Sequence, residues 1–84
     1  MLPGFPPNRR AMLATVDEQA AKVVEEASEV ISALVCNEGD MRVLEEAYDC
    51  LWALSGLIGR YDADKRERAY SMVLDKARKR GDIG

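Results

Sequence analysis

The chain contains no histidine and only two cysteines, Cys36 and Cys50. Without histidine, nothing suggests a zinc or iron centre. Two cysteines make no disulfide framework, and the opening MLPGFPPNRR carries three prolines and no apolar run of signal-peptide length. The thiols are therefore expected to be reduced and the protein cytoplasmic. Long hydrophobic runs are missing too. Asp, Glu, Lys or Arg interrupts every candidate short of the roughly 18 residues a membrane span needs, which gives a membrane role no support. There is no basic excess: 12 Lys and Arg stand against 15 Asp and Glu, a net charge of −3. That balance argues against a nucleic-acid partner while leaving a phosphate-bearing small molecule open. Strand periodicity is absent throughout.

What is present is helical. The 84 residues read as one domain, 1–84, with a proline-rich segment at 1–8 and a short tail at 82–84. From Asn8 to about Cys36 there is no Gly or Pro, and apolar residues recur in steps of three and four through Val16, Ala20, Val23, Ala27, Val30 and Leu34. Either Asn8 caps this helix, or Thr15-x-x-Glu18 forms a capping box that starts a second helix there. The stretch NEGD at 37–40 breaks the pattern: Asn37 and Gly39 suit a helix end and Asp40 an N-cap. A second helix is expected from about Met41 to Tyr61, with Leu44, Ala47, Leu51, Leu54 and Ile58 on its inner stripe. In this helix Gly56 and Gly59 are expected to permit close packing or a bend. A third helix from about Asp64 to Lys79 stops at Gly81.

Short connections make consecutive helices antiparallel neighbours. The expected fold is an all-α antiparallel bundle of about three helices per chain. A chain this small buries little more than about 60% of its unfolded surface. Its 48% hydrophobic content spreads the apolar stripes wider than a three-helix monomer needs. Oligomerisation is expected to complete the bundle.

Two acidic motifs stand out, EEASE at 25–29 and EEAYD at 45–49. Each holds a carboxylate pair at helical spacing, Glu26-x-x-Glu29 and Glu46-x-x-Asp49. At about 100° per residue, Glu26 lies about 60° and Glu29 about 120° from Val23, while Glu25 lies about 160° away and points to water. On the second helix Glu46 and Asp49 share a side with Ala53 and Gly56, and Tyr48 and Trp52 flank Asp49. Small residues beside paired acids leave room for a ligand. Singly, each pair reads most simply as solvated surface. Facing each other on adjacent helices, four carboxylates repel unless cations lie between them. Oxygen-only ligands select hard ions, Mg²⁺ or Mn²⁺.

KVVEEASEV followed by EEAYDCLWAL resembles the Glu-x-x-Glu, spacer, Glu-x-x-Asp signature of the MazG-like all-α nucleotide pyrophosphohydrolases. Phosphoribosyl-ATP pyrophosphatase and the all-α dUTPases and dCTPases are relatives of that group. The likeness covers about residues 20–58, and VLDKARKRG at 73–81 looks like the basic tail of many members. It implies Mg²⁺-dependent hydrolysis of a nucleoside triphosphate between the α- and β-phosphates, by a homodimer or homotetramer. Carried over by position, Glu26, Glu29, Glu46 and Asp49 are the catalytic metal ligands. Glu25 or Glu45 is a further candidate for general base. Lys22, Lys76 and Arg80 are candidates for phosphate contact. Lys22 also pairs naturally with Glu26 at i, i+4, and a basic last turn also suits the helix dipole. Trp52 and Cys50 read first as packing residues. Two alternatives stand beside this reading: a non-catalytic helical interaction module with solvated acidic faces, and, within the enzyme class, phosphoribosyl-ATP pyrophosphatase.

Overall fold

The computed structural model describes residues 4–83, which form four helices and no strand. They are α1 (Arg9–Leu13), α2 (Val16–Val35), α3 (Asp40–Ile58) and α4 (Ala63–Arg80). The all-α class is as expected; the count rises to four because the first expected helix divides. Both capping options operate. Asn8 Oδ1 accepts from Ala11 N at 3.0 Å and starts α1. Thr15 then takes an extended conformation, and its Oγ1 accepts from Glu18 N at 3.1 Å. Glu18 Oε1 accepts from Thr15 N at 2.8 Å, completing the box. Two backbone donors satisfied reciprocally favour a fresh start for α2 over a continuous helix.

Three boundaries differ from expectation. Asp40 is the first residue of α3 rather than its cap; Gly39, at φ 99°, occupies the cap without a side-chain bond. Only glycine enters that backbone region freely, so the turn geometry fixes the assignment, and the Asp40 carboxylate still faces the positive end of the helix dipole. The end of α3 comes at Ile58, short of Tyr61, with Gly59 as its cap. Asp62 rather than Asp64 opens α4, accepting from Lys65 N at 2.9 Å. Gly81, at φ 82°, closes α4 as its left-handed cap.

The hairpin of α2 and α3 is the body of the fold. Gln19 Nε2 donates to Ala53 O at 2.8 Å, and seven residues along α2 Glu26 meets Glu46, seven residues back along α3. That register is antiparallel. Among the described residues, the buried apolar ones are all alanine: Ala11, Ala33 and Ala53. Gln19, Glu26, Glu46 and Ser55 are buried with them. The expected inner stripe of α3 is therefore corrected: Leu44, Leu51 and Ile58 remain exposed, as do Val24, Ile31 and Leu34 on α2. The seam within one chain runs through residues seven apart, Gln19, Glu26 and Ala33 against Glu46 and Ala53. Alanines there let the backbones approach, and the large apolar side chains turn to another face. α4 likewise buries none of its residues and leaves Tyr70, Met72 and Val73 exposed.

α1 closes one end of the hairpin. A Cβ placed on Gly56 would stand 2.5 Å from Ala11 Cβ and 3.2 Å from Asn8 Nδ2, so glycine is what lets α1 sit against α3. Arg60 Nη1 donates to Ala11 O at 2.8 Å and also to Ala14 O, satisfying carbonyls at the end of α1.

Candidate metal centre

Glu26 and Glu46 occupy positions of the α2–α3 seam that a packing residue would normally fill, and they are only 7% and 4% exposed. Each sits one turn beyond a base on its own helix. Lys22 Nζ lies 2.9 Å from Glu26 Oε1, and Arg42 Nη2 lies 2.9 Å from Glu46 Oε1. The second oxygen of each carboxylate, Glu26 Oε2 and Glu46 Oε2, is buried without a donor. Desolvating an acceptor with no partner costs on the order of 1–3 kcal/mol, more for a charged group. Two such atoms in one seam are an uncommon expense for a small domain.

Asp49, one turn after Glu46, joins them. Carboxylate oxygens of Glu26, Glu46 and Asp49 all lie within 4.8 Å of one another, and so do those of Glu25, Glu26 and Glu29. Glu26 belongs to both groups, so the acids form one continuous patch across the two helices. Glu29 and Asp49 are exposed and make its open rim. The carboxyl of Glu29 is held above the usual range. The chief cause is the hydrogen bond a protonated Glu29 makes to Glu46, followed by the negative charge of Glu26. With every acid ionised the carboxylates only repel; a proton on Glu29 gives Glu46 one hydrogen bond. A divalent cation among these oxygens would offset the same repulsion without a proton. The donor set is all oxygen, which suits Mg²⁺ or Mn²⁺.

Of the four acids named from sequence, the structure groups Glu26 with Glu46 and Asp49, and Glu29 with Glu26 and Glu25, with Lys22 against Glu26. Glu25, expected to point to water, is exposed but contributes an oxygen to the patch. Glu45 lies outside both groups and pairs with Arg42 at 3.4 Å. Lys76 and Arg80 are not drawn in: Arg80 Nε meets Asp82 Oδ2 at 3.0 Å, and neither cation pairs with the four acids. Arg42 escaped the sequence reading, although its i, i+4 spacing to Glu46 repeats that of Lys22 to Glu26.

Trp52 packs against the N-terminal segment. Phe5 stacks on it at 6.4 Å between centroids and meets Tyr48 edge-on at 6.2 Å. Trp52 Nε1 donates to Pro6 O at 3.0 Å. Cys36 and Cys50 are free thiols. Among the described residues, no helix is long and apolar enough to cross a membrane.

No family model matches the chain, and no curated protein and no solved structure matches it either.

Proposed function

We propose that the chain is a Mg²⁺-dependent nucleoside triphosphate pyrophosphohydrolase, cleaving between the α- and β-phosphates to release a nucleoside monophosphate and pyrophosphate. One observation carries this reading: Glu26 and Glu46 bury donorless oxygens beside Asp49 and Glu29 in a single patch. Those four acids would hold the metal. Bound there, Mg²⁺ supplies charge neutralisation for the triphosphate and lowers the pKa of an attacking water. The chain's own part is positional. The seven-residue seam fixes Glu26 and Glu46, and Lys22 and Arg42 each restrain one oxygen while leaving the other for the ligand. Asp49 and Glu29 line the open side by which a substrate enters.

The active form is proposed to be a homodimer or homotetramer. Large side chains exposed on all three long helices, among them Ile31, Leu34, Leu44, Leu51 and Val73, support this. Burying such a stripe on a second copy yields about 25 cal/mol per Å² of apolar area. It supplies the core that three alanines do not.

A second reading draws on Lys22 and Arg42. Their pairing with the buried acids also suits a structural charged seam in a non-catalytic interaction module. Melting curves in Mg²⁺, Mn²⁺ and chelator separate the two. A cation site makes the melting temperature rise with millimolar metal and fall with chelator. A purely structural seam leaves it unchanged.

A further inference from the structure

Next to the acids, α1 and α2 border a shallow, open cleft of about 630 Å³ whose lining is largely apolar, Leu13 and Ala21 included, with Arg9, Arg10 and Lys22 set in it beside Glu18, Gln19 and Glu25. Its two carboxylates keep their charge but are bonded within the protein. Glu18 accepts from Thr15 N in the capping box, and Glu25 stands 3.7 Å from Lys22. Gln19 is committed to Ala53 O. Arg9 and Arg10 have no ion-pair partner among the described residues. The positive charge of Arg10 reaches Lys22 and opposes the attraction by which Glu26 raises the lysine's pKa. Two unneutralised guanidinium groups thus sit on a helix whose place is fixed by the Gly56 contact and by Arg60.

The cleft and the acid patch are contiguous, because Lys22 and Glu25 border both. A long polyanion can therefore lie with one part near the carboxylates and the rest over the arginines. Planar guanidinium forks match phosphate oxygens in charge and geometry. We propose that the α1–α2 cleft binds the terminal phosphates of the nucleotide through Arg9 and Arg10, with Lys22 at its boundary with the acid patch. This rests on the pyrophosphohydrolase reading and adds to it a phosphate subsite supplied by α1.

The test is calorimetric titration of inorganic tripolyphosphate into the full chain, in chelator and in Mg²⁺. Arg9→Ala/Arg10→Ala is compared with Arg78→Ala/Lys79→Ala, which removes the same charge from α4. Loss of the cleft arginines weakens binding about tenfold or more in both conditions, while the α4 variant stays within about twofold of wild type. Arg9→Lys/Arg10→Lys, which keeps the charge, binds between wild type and the alanine variant and guards against a mere loss of α1. Equal weakening in the two alanine variants, or none in either, overturns the cleft. Pyrophosphate release from nucleotides is measured in parallel. Its absence in wild type, with tripolyphosphate binding still dependent on Arg9 and Arg10, overturns hydrolysis and leaves the subsite standing. Normal release with arginine-independent binding overturns the subsite alone.

Discussion

Glu26 and Glu46 meet across the α2–α3 seam as two buried acids with matched surroundings, each held through one oxygen by a base a turn earlier and lacking a donor on the other. This matched pair is a source of instability in the metal-free chain. The same repulsion is what a cation at the proposed site would relieve.

Glu46→Gln should therefore act differently in the two conditions. In chelator, relief of the repulsion with Glu26 is offset by loss of the Arg42 ion pair, so the melting temperature should stay within a few degrees of wild type, about 4–8 °C per kcal/mol of any imbalance. In Mg²⁺, the metal-dependent part of the stability should shrink or vanish. Differential scanning calorimetry with and without chelator checks both halves; a variant that still gains the full wild-type increment from Mg²⁺ contradicts the site.

The pH dependence divides between two glutamates. Glu18 has a lowered pKa, first through its bond with the Thr15 backbone N–H. Its contribution is present above a glutamate's ordinary pKa and is lost as pH falls through the lowered value. Glu29 has a raised pKa, so the folded state holds its proton longer than the unfolded chain does. Its contribution in chelator is greatest below the ordinary value and is lost as pH rises through the raised one. Glu29→Gln should flatten the loss on the high side, Glu18→Gln the loss on the low side, as read from melting temperature against pH. Thr15→Ala should in addition cost about 1 kcal/mol through the missing cap.

Much of this was legible in the sequence, for identifiable reasons. Caps are local chemistry, so Asn8, Thr15-x-x-Glu18 and Gly81 could be read directly. Each acid pair was legible because three-residue spacing puts two carboxylates on one side of a helix; which acids meet across the seam depended on how α2 and α3 pack. The direction of the apolar stripe was not. Leu44, Leu51 and Ile58 align on one helical face, and periodicity does not say whether that face meets the same chain or another. Within one chain the alanines and acids take the seam instead. Lys76 and Arg80 failed to join the acids for a related reason: their placement depends on where α4 docks, which no residue of α4 fixes by burial within one chain.

Because those large apolar residues lack a partner in the single chain, Leu51→Glu should break the assembly. Size-exclusion chromatography with light scattering is expected to show a dimer or tetramer for wild type at micromolar concentration and a monomer for the variant. The monomer should also melt at lower temperature. A wild-type monomer would remove the proposed assembly while leaving the acid geometry untouched.

Gly56→Ala should displace α1, since its Cβ would lie 2.5 Å from that of Ala11. The expected cost is about 1–3 kcal/mol, the usual range for overpacking. Tripolyphosphate affinity should drop with it, because Arg9 and Arg10 ride on the displaced helix. Chemical denaturation gives the first quantity and calorimetric titration the second.

The most direct measurement is pyrophosphate release from a panel of nucleoside triphosphates in Mg²⁺, comparing wild type with Glu46→Gln and Asp49→Asn. Release by wild type, lowered about 10²-fold or more in both variants, is the predicted result. Release unchanged in both variants, or absent from wild type across the panel, would contradict the account.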